Sequence, residues 1–396
     1  MIVRQFLQWI RFAPPGERAE ATSALARAYL HSDLSPDDLA AAEGAMIMLL
    51  DDPSPLVRRA LSEVFSSSQK APRIVVHALA ADQPEIAMPL LSHSPLLLED
   101  DLVDLIATGQ PEAQMAIASR AMLPRSLAAA IAEVGSAQAC LALLENLDAD
   151  ITLFSIDRII ERFGHLSAIR EPLLARGDLP MATRQALLSK LSQTLAGFVS
   201  GRQWMGCEHA EYAAREACEK ATVALAAETP YEEVADLVRH LRQSGQLTAG
   251  MILRALLSGN VVLFEEALAE LSGVPIERVV SYIHDRNISG ISALYRKAGL
   301  PDLAYPAFRA AIAAIREDAH FGGQGGVAQL KREMVERVLE TCAAERDPNL
   351  AALLALLRRF AVEAAREEAR LFCDDLVAND YPVNAVEFID DARLVA

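Results

Sequence analysis

Aromatic side chains are scarce in this chain, with Trp, Tyr and Phe together making up 5% of its 396 residues. The core therefore cannot be built mainly from rings. The apolar content, 52% of all residues, falls on Ala and Leu, which favour close helix–helix packing over sheet. Cysteine is sparse as well: Cys140, Cys207, Cys218, Cys342 and Cys373 are odd in number, widely spaced and without a C-x-x-C pair. That pattern argues against a disulfide framework and for free thiols in a reducing, cytoplasmic compartment. No apolar run approaches the ~18 residues a membrane-crossing helix requires. Basic residues are in the minority, 37 Lys and Arg against 54 Asp and Glu, and the net charge is −17. Such a field opposes broad binding to nucleic acid or to an anionic membrane, since both are negatively charged. The opening Met1–Phe12 stretch is interrupted by Arg4 and Gln5 and followed by no small-residue cleavage site, so it does not read as a signal peptide. Ile2, Val3, Phe6, Leu7 and Ile10 share one helical face, which predicts a helix capping whatever follows.

What is present is a degenerate repeat. Gln83-Pro84-Glu85-Ile86-Ala87-Met88-Pro89-Leu90-Leu91-Ser92 recurs as Gln110-Pro111-Glu112-Ala113-Gln114-Met115-Ala116-Ile117-Ala118-Ser119. Looser copies begin at Asp52-Pro53-Ser54-Pro55 upstream and at Gly135-Ser136-Ala137-Gln138 downstream. A period of this length with helical spacing predicts stacked helix pairs, each pair too short and too one-sided to be stable without its neighbours. The spacing predicts helices over 17–31 and 36–50, with Ser35 as N-cap and Pro36 at the first helical position. Further pairs are predicted at 70–81 and 84–93, 99–108 and 111–122, 124–134 and 136–147, and 150–164 and 166–176. No stretch shows the alternation of a strand, and the predicted fold class is all-α. Three regions are expected: a helix-pair solenoid over 1–178, a second all-helical domain over 179–319, and a Gly-rich hinge, helical hairpin and acidic tail over 320–396. The second region is expected to run helical to about Glu228 with a break at Gly197-Phe198-Val199-Ser200-Gly201. Shorter helices follow at 232–243, 248–258, 261–272, 275–285, 289–298 and 304–319, then two more at 327–345 and 348–378. The Gly322–Gly326 run is expected to be the hinge.

Asp52 followed by Val57-Arg58 resembles the HEAT-repeat signature, in which a turn Asp precedes a Val-Arg on the second helix of a pair. The resemblance implies that these charges bond between adjacent repeats, so that Arg58 is structural. Only this first repeat carries the full pattern. At larger scale the chain resembles an uncharacterised family of HEAT-like proteins from alphaproteobacteria. The resemblance rests on Arg18-Ala19-Glu20 through Leu61, on Ser94-Pro95-Leu96-Leu97 with the repeats after it, and on Leu253-Arg254-Ala255-Leu256 through Ala298-Gly299-Leu300-Pro301. It spans roughly residues 15–315 and implies no established activity.

Few residue constellations point to chemistry. Cys207, Glu211 and Cys218 share a helical face while His209 points elsewhere, and no second ligand pair follows, so no metal is expected. The Gly322–Gly326 run lacks the strand before it and the Gly-Lys-Ser/Thr ending of a phosphate loop. No catalytic triad or paired-carboxylate motif is discernible, and neither an enzymatic activity nor a cofactor is expected. Ala269, Gly273 and Val279 stand at helix-turn-helix spacing, which would turn Arg278, Ser281, Tyr282 and Arg286 toward a DNA groove. Glu265, Glu266, Glu270, Glu277 and Asp285 crowd the same element and oppose that reading. The favoured expectation is a regulatory protein–protein interaction scaffold or adaptor, whose partner lies along the concave face of the solenoid. From helical periodicity Arg59, Glu63, Glu85, Gln114, Arg120, Glu145, Asn146 and Arg170 are the polar residues expected to reach that partner.

Overall fold

The computed structural model describes residues 2–228, 230–284, 288–321, 327–344 and 350–379, and among them every regular element is a helix. The chain divides into two compact units, Met1–Leu179 and Pro180–Ala396.

The first unit contains α1 (Ile2–Trp9), α2 (Pro15–His31), α3 (Pro36–Leu49), α4 (Pro55–Phe65), α5 (Arg73–Ala80) and α6 (Pro84–His93). It continues with α7 (Glu99–Thr108), α8 (Pro111–Ala118), α9 (Arg125–Val134), α10 (Ala137–Glu145), α11 (Leu153–Phe163) and α12 (Ser167–Ala175). The starts follow local chemistry. Ser35 accepts a hydrogen bond from the Asp38 amide with Pro36 at the first helical position. Ser136 caps α10 and Thr152 caps α11 in the same way. Proline also opens α2, α4, α6 and α8, where its missing N–H costs no intrahelical bond.

These helices pack in two layers. Each even-numbered helix lies against the next even one, from α2 through α4, α6, α8 and α10 to α12, while α1 packs on α3, α3 on α5, α7 on α9 and α9 on α11. All four copies of the sequence repeat begin even-numbered helices, α4, α6, α8 and α10. The repeat therefore encodes one layer. Its apolar positions are the buried ones: Val57, Leu61 and Phe65 on α4, Ile86 and Leu90 on α6, Ile117 on α8 and Leu143 on α10 are all fully buried. Phe6 and Leu7 of α1 pack on Ala42 and Ala45 of α3 at the beginning of the stack.

The second unit begins with two long helices, α13 (Met181–Gly201) and α14 (Cys207–Ala227), packed on each other. The break expected at Gly197–Gly201 lies later, at residues 202–206. Gly197 has open space around it and is carried inside the helix. The turn is closed instead by Gln203, in the left-handed region at φ 58°, and by rings: Phe198 meets Trp204 edge-to-face at 5.8 Å with the Arg202 guanidinium 4.9 Å over Phe198. Shorter helices follow: α15 (Tyr231–Gln243), α16 (Ala249–Leu257), α17 (Val261–Ser272), α18 (Ile276–His284), α19 (Ile288–Lys297) and α20 (Tyr305–Phe321). Then come α21 (Val327–Ala344) and α22 (Ala351–Asn379). The Gly322–Gly326 run and the acidic tail beyond 379 lie outside the described residues.

α16 is the centre of this unit. Every residue from Met251 to Leu257 is buried, and the helix packs on α14, α17, α20 and α21. Among them is Arg254, 5% exposed. Its guanidinium lies 2.5 Å from Glu363 of α22 and 3.4 Å from Glu216 of α14, with the Phe360 ring beneath it at 4.3 Å. Val335 and Val338 of α21 and Leu357 of α22 belong to the same continuous core as Phe264 and Phe308, so the C-terminal hairpin is part of the unit's interior.

Candidate functional site

The residues expected to face a partner divide into two groups. Glu85 of α6 and Glu145 of α10 are exposed, and Arg59 and Glu63 are exposed and paired with each other across one turn of α4 at 2.8 Å. The other four are engaged within the stack. Gln114 is buried, donates to the Ile106 carbonyl and accepts from the Ser136 amide. Arg120 donates to the Leu91 and Ser94 carbonyls, and burial holds its pKa below the usual arginine range. Asn146 donates to the Ala118 and Arg120 carbonyls, and Arg170 to the Gly164 carbonyl.

These bonds form a ladder. Arg120 reaches back from the end of α8 to the end of α6, and Asn146 from the end of α10 to the end of α8. Arg162 of α11 does the same for the end of α9, through the Ala132 and Gly135 carbonyls. Each ties down carbonyls that a helix terminus leaves without a partner. The charges singled out by the HEAT resemblance lie at the head of the ladder. Arg58 binds Asp82 of the next helix pair at 2.6 Å and the Asp52 carbonyl at 2.6 Å, while Asp52 in turn holds Arg18 of α2 at 2.8 Å. Helical periodicity assigned Arg120 to a partner, since a single arginine after a helix reads as a surface charge until its neighbour's carbonyls are known; the structure turns it inward to the Leu91 and Ser94 carbonyls.

The exposed edge of the even layer has a consistent character. Leu56, Arg59 and Glu63 stand on α4, Glu85 and Met88 on α6, Glu112 on α8, Gln138 and Glu145 on α10, and Glu171 and Leu174 on α12. Leu56 and Leu174 are more than half exposed. The edge is acidic with apolar residues between the charges.

Elsewhere, α17 and α18 do join through Gly273 at φ 63°, the conformation a glycine adopts at no steric cost. Arg278 and Ser281 are exposed on α18, but Tyr282 is half-buried, its ring against Gly290 of α19 so closely that a Cβ there would stand 2.8 Å from it. Arg286 lies outside the described residues. Glu265, largely buried on α17, sits 3.0 Å from His284 Nε2, and burial raises its pKa.

A cavity of about 520 Å³ opens in the second unit between α13, α14 and the start of α16. Cys207, Glu211 and Cys218, the shared face read from sequence, all line it, whereas His209 is exposed elsewhere. The wall is held by a polar chain. His240 Nε2 lies 3.1 Å from Gln185 Oε1, Gln185 Nε2 donates to Gln246 Oε1 at 2.5 Å, and Gln246 Nε2 donates to Ser189 Oγ at 3.0 Å. Gln185 is fully buried. Glu219 receives the Thr248 hydroxyl at 2.9 Å, and burial raises its carboxyl pKa above the ordinary range. The thiols are not activated: the Glu211 carboxylate that accepts the Cys207 S–H raises its pKa, and burial raises that of Cys218. Among the described residues no group of three His, Cys, Asp or Glu side chains is placed to hold a metal ion, and no helix is long and apolar enough to cross a membrane.

Fold and sites together define an all-helical protein of two helical units, the first a two-layered stack of short helices. Residues 86–346 match the family described as an uncharacterised protein conserved in bacteria (DUF2336), and the chain belongs to that family. The match begins in α6 and ends just beyond α21, so it runs through both units. No curated protein and no solved structure matches the chain.

Proposed function

We propose that this protein is a non-enzymatic scaffold or adaptor, whose first unit is a HEAT-like solenoid that binds a partner protein along the exposed edge of α4, α6, α8, α10 and α12. The observation that carries the reading is that edge. Its glutamates Glu63, Glu85, Glu112, Glu145 and Glu171 stand one on each of the five even-numbered helices, joined by the exposed apolar Leu56, Met88 and Leu174 on three of them, and charge complementarity selects a basic, amphipathic segment as the occupant. The layered packing, the repeat that encodes one layer, and the Asp82–Arg58 and Asp52–Arg18 bonds support the HEAT-like reading. The three resembling stretches support an origin in the alphaproteobacterial branch of the family. Free thiols at all five cysteines support a cytoplasmic location.

The test is affinity purification of the tagged full chain from its native cytosol, with and without nuclease treatment, beside a variant carrying Glu85→Lys, Glu112→Lys, Glu145→Lys and Glu171→Lys. Expected is a stoichiometric protein retained by the native chain, weakened at high salt and lost from the fourfold variant. A partner that both retain equally, or recovery of nucleic acid alone, overturns the proposal. The second of these outcomes would favour a DNA-binding regulator acting through α18 and its Arg278.

A further inference from the structure

Resting on the proposed docking role of the acidic edge of α4, α6, α8, α10 and α12, we infer that its occupant is the outward face of α22 of a second copy of this chain, so that the protein associates head to tail. On α22 the residues Arg358, Val362, Arg366, Ala369, Cys373 and Leu376 follow one another at intervals of three or four, which places them on one stripe of the helix. Arg370 and Phe372 flank the stripe, and all eight are exposed. Leu353, Leu357, Phe360 and Ala364 are buried on the opposite side.

The charges of α22 are sorted by face. Its glutamates turn toward other helices of the unit and are neutralised there, Glu363 by Arg254, Glu367 by Lys331 at 2.7 Å and Glu368 by Arg332 at 3.0 Å. Arg358, Arg366 and Arg370 have no hydrogen-bond or ion-pair partner among the described residues. Asp374 is exposed, but it stands about 120° round the helix from Val362. In a chain of net charge −17, this face is locally basic. It is apolar as well, with Val362 52%, Phe372 64% and Leu376 50% exposed. From Ala369 to Leu376 no described side chain of α22 is buried, so the last turns gain nothing from the core that holds Leu357 and Phe360.

The edge of the first unit is the complement of this face. Glu85 and Glu112 each follow the proline that opens α6 and α8, two helices packed on each other in one layer, and Met88 is exposed on α6. Packed helices stand about 8–10 Å apart, and the helix axis rises about 18 Å between Arg358 and Arg370. A helix laid across the layer therefore reaches from one glutamate to the next. Duplex nucleic acid and anionic membrane fit this face less well, because the whole chain repels them. Between two copies, charges more than about 8 Å from the contact are screened at physiological salt, and the local pairs select the register. Face and edge are different surfaces. Each copy keeps one of them free after pairing, so association runs past a dimer or closes into a ring.

The experiment is sedimentation velocity of the purified full chain at up to about 0.1 mM, where weak interfaces still associate. It is run beside an Arg358→Glu, Arg366→Glu, Arg370→Glu variant, a Glu85→Lys, Glu112→Lys variant, and their equimolar mixture. Every changed residue is exposed and circular dichroism checks each fold; the single changes Arg366→Glu and Glu112→Lys replace any variant that does not fold. Expected are species larger than a dimer from the native chain, a monomer from each variant alone, and a dimer that grows no further from the mixture. The first variant keeps only its edge and the second only its face, so together they make one contact. A monomeric native chain, an edge variant that still self-associates, or a mixture that stays monomeric rules out head-to-tail association. A monomeric native chain that still recovers another protein through Glu85 and Glu112 leaves the edge as a docking surface with a different occupant, whereas a chain that neither self-associates nor recovers a partner removes both readings.

Discussion

On α4, Arg58 points along the stack toward the next helix pair, while its neighbour Arg59 points to solvent. The Arg58 side chain is 12% exposed and bonds to Asp82 and to the Asp52 carbonyl; the Arg59 side chain is 54% exposed and meets only Glu63 one turn away. The consequences differ in size. Arg58→Ala removes charge-assisted bonds at a half-buried junction and is expected to cost about 1.5–3 kcal/mol. Arg59→Ala breaks an exposed pair and is expected to change stability by less than ~0.5 kcal/mol. Urea denaturation of both variants checks the contrast, and equal midpoints would refute the junction role of Arg58. The same distinction runs through the other polar residues. Arg120 and Asn146 bind carbonyls of the previous helix in their layer, a role set by a partner 26 to 29 residues away, whereas Glu85 and Glu145 remain exposed.

At the scale of elements, the α13–α14 connection shows which local signals decide where a helix stops. Gly197 and Gly201 together suggested a break, but a glycine in open space weakens a helix by only about 1 kcal/mol relative to alanine, less than the packing of α13 along α14 supplies. The chain turns at Gln203, a residue without special licence for φ 58°. Gln203→Gly relieves that conformation, which costs roughly 1 kcal/mol in a residue bearing a Cβ, and is expected to leave stability unchanged or raise it slightly. A thermal melt checks this, and a fall of several degrees would show that Gln203 serves the turn through its side chain instead. Ser35 was legible as a cap from the sequence alone, and the same chemistry recurs at starts the sequence reading did not single out. Ser35, Ser136, Thr152 and Thr248 each cap the helix that follows, because the cap bond is made within three residues and needs no tertiary partner.

For the whole molecule, the two units have separate interiors, one of Leu and Ile between two helical layers, the other centred on α16. Phe264 and Phe308 stack at 6.0 Å within the second, both about 1% exposed. Phe264→Ala is expected to lower the stability of the second unit by about 3–5 kcal/mol through the lost ring and the cavity left behind. Hydrogen exchange followed by mass spectrometry resolves the outcome by segment: protection falls across α16–α20 and is preserved in α4–α10. Equal loss in both units would show that they unfold as one.

Local spacing along the chain is enough to specify most of the helices, the layer the repeat encodes, and the shared face of Cys207, Glu211 and Cys218 on α14. Each of these depends on spacing of 3 to 4 residues or on a fixed period, and both are properties of the chain read locally. Packing in three dimensions settles what those features meet. It placed Gln185, Gln246 and Thr248, from three separate segments, around the face of α14, and so revealed a cavity where the sequence showed three potential ligands without a fourth. It buried Arg254 between Glu216 and Glu363, which are 38 and 109 residues away. Burial and pairing of polar groups are set by what packs against them, and for residues so distant in sequence no local pattern records the partner.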